Sequence, residues 1–223
     1  MVIIMREYIP VLAQTKMFSG IAPDEIFSLL DCIHARRAEY SKGDFIIEEG
    51  ASVYDFGIML SGHGRSIKWD AQDRLIMISL LEPGSEIGVL LAASPEHKSP
   101  VFVQAQDAVS VLHIPYNRLL DRCPGTCPKH ERLLRNYISI VAEKGLLLHE
   151  RIDCLLKPSL RDKILTYLLR MSRDQQSRVF EIPMNRNEMA EYLNIERSAL
   201  SRELSCMKRD GIIDYYRNSF RLF

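Results

Sequence analysis

The stretch that most constrains this chain lies between residues 186 and 211. Its apolar residues fall on two short helical faces: Met189, Ala190 and Leu193 on the first, Leu200, Leu204 and Met207 on the second. Asn194 stands between them, where the chain must reverse, and asparagine tolerates left-handed backbone. Ala190 is small where two helices have to cross closely. The spacing predicts a helix-turn-helix. The N-terminal half of its second helix presents Arg197, Ser198, Ser201 and Arg202 on the polar side. Arginine donates two parallel hydrogen bonds to guanine, and a serine hydroxyl donates or accepts, so these four are expected to read base edges. Asn185 and Arg186 open the preceding helix, where free backbone N–H groups and a cationic side chain suit a DNA phosphate. The bland alternative is a surface helix pair with solvated arginines.

Charge sharpens the reading. The whole chain of 223 residues carries a net charge of zero, which argues against a generally basic, non-specific nucleic-acid binder. Yet residues 197–209 hold Arg197, Arg202, Lys208 and Arg209 against the single acid Glu203. The second helix is therefore cationic inside a neutral protein.

Other function classes find less support. An enzyme needs a nucleophile with its base, paired carboxylates or a phosphate loop, and the sequence contains no Walker-type loop, nucleophile elbow or metal-binding His-Glu motif. The reading is not an enzyme. No apolar run reaches the length of a membrane span, and the opening Met1 to Arg6 is too short for a signal peptide, so the expected location is the cytoplasm, with no membrane partner. Five scattered cysteines suit reduced thiols better than a disulfide framework. Cys123 and Cys127, with His130 nearby, leave a thiol switch open, but one loose pair is too little for a zinc site. No metal site is expected.

The remainder reads in three parts. Residues 1–39 look helical, with Pro23, Asp24 and Glu25 at a helix start. Over residues 40–115, short apolar runs are broken by Gly43, Gly50, Gly57, Gly62, Gly64, Gly84 and Gly88. Strands are expected at 45–47, 56–60, 75–80 and 109–113, which suggests an antiparallel barrel or jelly roll. A long helix at 129–157 ends at Pro158 and carries two apolar stripes. Leu134, Ile138, Val141, Gly145, Leu148, Ile152 and Leu155 repeat in alternating steps of four and three, a seam for a second helix. Leu133, Tyr137, Ile140 and Leu147 form the adjacent stripe, suited to the chain's own barrel. A helix with two apolar faces needs two partners, and a second copy is the simplest second partner; a helix buried within its own chain is the alternative. After Pro158 come a helix capped by Ser159, the helix-turn-helix, and a closing hairpin turning near Arg217 and Asn218.

The order of these parts resembles the Crp/Fnr family of bacterial transcription regulators. The residues that carry the likeness are Tyr40 to Gly50, Leu60-Ser61-Gly62, Leu81 to Gly84, Ile87-Gly88, and Arg197 to Leu204. The resemblance implies an α+β chain. An effector-sensing antiparallel jelly-roll domain would span 1–128, a dimerisation helix 129–157, and a winged helix-turn-helix domain 158–223. It implies a homodimer bound to a palindromic double-stranded DNA operator, under control of a small-molecule or redox signal, with RNA polymerase as a further partner. The rival is a module of the cyclic-nucleotide-binding fold that serves as a binding unit or adaptor without sequence-specific DNA binding.

The same likeness places an effector pocket at Ile87, Gly88, Val89, Leu90, Lys98 and Ser99. Members that bind cyclic AMP have a glutamate after the glycine to grip the ribose and an arginine before a serine or threonine to clamp the phosphate. Here those positions hold Val89 and Lys98. Valine accepts no hydrogen bond, lysine lacks the bidentate fork, and Pro100 removes a backbone donor. Cyclic AMP is therefore not the expected ligand. The iron–sulfur members use a close N-terminal cysteine set, whereas this N-terminus has Cys32 alone. A single axial histidine would leave no signature, so haem stays open as a cofactor.

Overall fold

The computed structural model describes residues 6–70, 72–73, 75–121 and 127–223. The chain divides into two compact units, residues 1–68 with 78–145, and residues 69–77 with 146–223.

The barrel is an antiparallel jelly roll. One sheet has the order β1 (Arg36–Tyr40), β8 (Val109–Pro115), β3 (Asp55–Ser61), β6 (Glu86–Ile87). The other has the order β2 (Phe45–Ile47), β7 (Phe102–Ala105), β4 (Gly64–Trp69), β5 (Leu75–Leu81). Consecutive strands alternate between the sheets except at β4 and β5, which is why the short glycine-broken runs succeed one another so regularly.

The two faces of β3 and β8 enter different cores, as alternation along a strand requires. Met59, Val109 and Val111 meet Leu81, Ile87 and Val103 in the barrel interior. Phe56, Ile58, Leu60, Leu112 and Ile114 face the opposite way. They meet Leu12 of α1 (Ile9–Gln14) and Ile26 and Leu29 of α2 (Pro23–Cys32). Both faces of β3 are therefore apolar, and its centre is buried throughout. Gly57 on the inner face has no room for a side chain, because an added Cβ would lie 2.9 Å from a methyl of Val111.

Residues 36–39, expected to be helical, form most of β1 instead. Their polar sequence carries no strand alternation, and they are strand because β8 offers them a ladder from Arg36↔His113 to Tyr40↔Val109. The short α3 (Val89–Ala92) and α4 (Tyr116–Leu120) precede the long α5 (Pro128–Leu155), close to its expected bounds. Leu133, Tyr137 and Ile140 are buried in the helix-side core, as their stripe predicts. Leu147 departs from that stripe and is 43% exposed, as is Leu148.

The second unit contains α6 (Leu160–Asp174), α7 (Arg186–Leu193), α8 (Arg197–Arg209) and a sheet of order β10 (Ile213–Tyr216), β11 (Ser219–Leu222), β9 (Val179–Glu181). The Ser159 hydroxyl caps α6 by accepting from the Asp162 N–H at 3.0 Å. Ile164, Tyr167, Leu168, Phe180, Met189, Leu193, Leu200, Leu204 and Phe220 are all buried here. Among the described residues no helix is long and apolar enough to cross a membrane.

Candidate nucleic-acid interface

The helix-turn-helix is built as the residues require. Asn185 caps α7: its side-chain oxygen accepts from the N–H groups of Asn187 at 2.9 Å and Glu188 at 3.1 Å. The Glu188 carboxylate accepts in return from the Asn185 N–H at 2.8 Å, completing a capping box. Asn194 ends α7 in the left-handed region, with φ 52° and ψ 56°. That reversal lets Leu200, Leu204 and Met207 turn inward onto Met189, Ala190 and Leu193, all of them buried. The N-terminal half of the outward side of α8 then presents Arg197, Ser198, Ser201 and Arg202, all exposed.

Ion pairs take up three of the acids around this helix, while Glu196 at its N-cap stays exposed. Arg161 of α6 donates to the Glu203 carboxylate at 2.6 Å and lies 2.7 Å from that of Asp210. Those two carboxylates hold the Arg161 guanidinium above its ordinary pKa. Lys208 pairs with Asp214 at 2.5 Å, and that lysine lowers the Asp214 pKa. Arg197 and Arg202, by contrast, make no ion pair among the described residues, so their guanidinium donors are free for a ligand.

The residues expected at phosphates sit differently. Asn185 is exposed, but its carbonyl oxygen is committed to the cap. Arg186 turns inward. Its guanidinium carbon lies 5.2 Å from the ring centroid of Tyr215 and 4.8 Å from that of Phe220. Its Nη2 donates to the Arg217 carbonyl at 2.5 Å. Burial pushes the Arg186 pKa below its ordinary value. Around this point opens a cleft of about 750 Å³, lined by Asn185, Arg197, Arg217, Asn218 and Ser219 among others. Arg217 was not singled out from the sequence. An arginine at the tip of a two-residue turn was the available signal.

The segment expected to form the effector pocket is split between surroundings. Gly88, at φ 69°, caps α3, and an added Cβ would meet Val53 and Ile47 at 3.2 and 3.3 Å. Ile87 enters the barrel interior. Val89 instead joins the helix-side core with Leu90 packed against it, and the Tyr137 hydroxyl donates to the Val89 carbonyl at 2.6 Å. Ser99 is buried, and its hydroxyl donates to the Val101 carbonyl at 2.7 Å. Lys98 stays exposed. Inside the barrel His113 and Tyr40 share a hydrogen bond of 3.0 Å.

Of the thiol pair, Cys123 lies outside the described residues. Cys127 is half-buried and unbonded to sulfur. The His130 ring nitrogen lies 2.7 Å from the Leu119 carbonyl, a structural contact. Among the described residues no three His, Cys, Asp or Glu side chains gather as a metal would need.

Two family models match the chain in the order of its units: a cyclic nucleotide-binding domain over residues 37–123 and a Crp-like helix-turn-helix domain over residues 162–222. The chain belongs to the Crp/Fnr family. One relative, the transcriptional activator protein FnrA of Stutzerimonas stutzeri, is 26% identical over 194 residues, covering 83% of this chain and 75% of its own. Another, the transcriptional activator protein anr of Pseudomonas aeruginosa, is 27% identical over 195 residues, covering 82% and 75%. The fold is shared with a CooA variant from Carboxydothermus hydrogenoformans, with a TM-score of 0.70 at 18% identity over 93% of this chain and 94% of that one. As a Crp/Fnr protein the chain is a DNA-binding transcription regulator, and the family is not one of enzymes.

Proposed function

We propose that two copies of this regulator pair along α5 and read a palindromic operator, each through the exposed side of α8. The observation that carries the reading is the division of α8 itself. Leu200, Leu204 and Met207 are at most 1% exposed, while Arg197, Ser198, Ser201 and Arg202 are exposed and the neighbouring acid Glu203 is held by Arg161. Such a helix presents arginine and serine donors to the acceptor-rich edge of guanine. Asn185, through its exposed side chain, and the cleft beside it take the phosphate backbone.

The homodimer rests on α5. Ile138, Leu148 and Ile152 are 59%, 43% and 53% exposed on the seam, and Leu134, Val141 and Leu155 are half-buried beside them. A row of exposed aliphatics at heptad spacing on one helix marks a surface that a second helix covers. The barrel serves as the sensor of a small-molecule or redox signal. Its pocket is the one implied at Ile87 to Leu90, Lys98 and Ser99, and the regulator acts in the cytoplasm together with RNA polymerase.

Selection from a pool of random duplexes, followed by gel shift with competitor DNA, tests this. The expected product is a palindrome with half-sites about 34 Å apart. Failure to enrich any sequence would leave the adaptor reading in its place.

A further inference from the structure

The wing tip stands in an unfavourable conformation beside a half-buried arginine. Arg217 lies between β10 and β11 with φ 51°, a region that disfavours residues carrying a Cβ. Turns of this kind usually place glycine, asparagine or aspartate there. A residue kept in such a conformation has to be over-determined by its surroundings, and such residues concentrate at functional sites. The surrounding structure here is Arg186. Its Nη2 donates to the Arg217 carbonyl at 2.5 Å, while Tyr215 and Phe220 of the same wing hold the guanidinium against their rings. Its Nη1 is buried without a hydrogen-bond partner. Burying an unpartnered donor is costly, and the two ring faces are the compensation available to it. A phosphate contact would be the ordinary use for an arginine at the start of α7, but the donors of this one are turned into the wing.

We propose that Arg186 is a positioning residue that sets the wing tip so that Arg217, in the cleft beside the base-reading Arg197, takes a phosphate of the DNA backbone. Arg217 and Arg197 are exposed, and the cleft is also lined by Arg186, Asn185, Asn218 and the carboxylate of Glu181. Three guanidiniums against one carboxylate leave the cleft cationic, that of Arg217 lying 5.5 Å from the ring centroid of Tyr216. Planar, forked donors fit the oxygens of a phosphodiester. The contact fixes the register of the domain on the duplex and carries no base preference.

The inference rests on the placement of DNA proposed above. Its test is the salt dependence of affinity for a selected operator and for a scrambled duplex, since each phosphate contact adds about one to the slope of log affinity against log salt. Arg217→Ala is expected to lower the slope by about one and to weaken both duplexes alike. Arg186→Ala is expected to do the same, and the double variant is expected to lose nothing further. Arg186→Lys keeps the charge but not the fork, and should also lower the slope; it replaces Arg186→Ala in the series if that variant does not fold. Additive losses in the double variant would mean that Arg186 itself touches phosphate and would overturn the proposal. So would an unchanged slope in a folded Arg186 variant. Failure of the unaltered chain to bind any duplex would instead sink the DNA placement.

Discussion

The guanidinium of Arg151 lies 4.3 Å from the ring centroid of Tyr192, and its Nη2 donates to the Tyr192 carbonyl at 3.2 Å. Arg151 belongs to the last turns of α5, and Tyr192 to the last turn of α7. Arg170 of α6 approaches the same tyrosine, with Nη1 3.3 Å from its hydroxyl. One aromatic ring thus joins three helices. Arg151 is only 7% exposed, whereas the next residue, Ile152, stands 53% exposed on the seam. A single helical turn therefore bears the proposed dimer contact on one side and the helix-turn-helix on the other. Pairing along the seam would bear directly on the orientation of α7 and, through Asn194, of α8.

Replacing Arg151 with alanine should destabilise the second unit by about 2 kcal/mol, the range for a hydrogen bond to a charged group lost from a buried site. Tyr192→Phe removes only the hydroxyl near Arg170 and should cost about 1 kcal/mol. Denaturant unfolding followed by circular dichroism measures both. No loss for Arg151→Ala would show that its contacts to the Tyr192 ring and to the Tyr192 and Met77 carbonyls contribute little.

The seam can be tested directly. Aspartate at Ile138 and Ile152 would bury unpaired charge wherever a second helix lies against them, so the double variant should sediment as a monomer and lose operator binding. Both side chains are already exposed in the single chain, so its own fold should be unaffected. A dimer that persists at low concentration in the double variant would move the interface elsewhere.

Acidification should loosen the barrel through His113. Burial holds its pKa below the ordinary value of 6.5, so near and below that pH the unfolded chain binds more protons than the folded one. The corresponding stability is complete above about pH 6.5 and declines as pH falls from there toward the folded value. His113→Gln should remove this part of the pH dependence while leaving a group able to bond the Tyr40 hydroxyl. Urea midpoints at pH 5.5 and 7.5 for both proteins give the comparison; identical pH dependence would exclude His113 as the cause.

The helix-turn-helix was legible because its signals are local. Asn194 and the apolar triplets at 189–193 and 200–207 act within one or two turns of helix. Strand β1 was not legible, since Arg36 to Tyr40 take their conformation from a partner some seventy residues away. The fate of Arg186 was equally hidden. Nothing near it in sequence says that Tyr215, Phe220 and the Arg217 carbonyl will surround it. Likewise Ile87 and Val89 are two positions apart, and only the turn at Gly88 into α3 sends them to different cores.

Arg202 carries the most direct test of base reading. It lies on the exposed side of α8, one residue before Glu203, whose carboxylate is taken up by Arg161. It has no ion pair among the described residues, so no internal contact is lost when its side chain is removed. Arg202→Ala should therefore leave thermal stability almost unchanged and cost roughly 1–3 kcal/mol in operator affinity. The loss should fall on one base pair in each half-site, so a panel of single-base operator variants would show relaxed preference at that position alone. Scrambled DNA should be affected far less, which separates this variant from Arg217→Ala, expected to weaken all duplexes alike. If Arg202→Ala kept the full base preference and lowered only the salt slope, the exposed side of α8 would be a backbone contact, and base reading would have to be assigned to other residues.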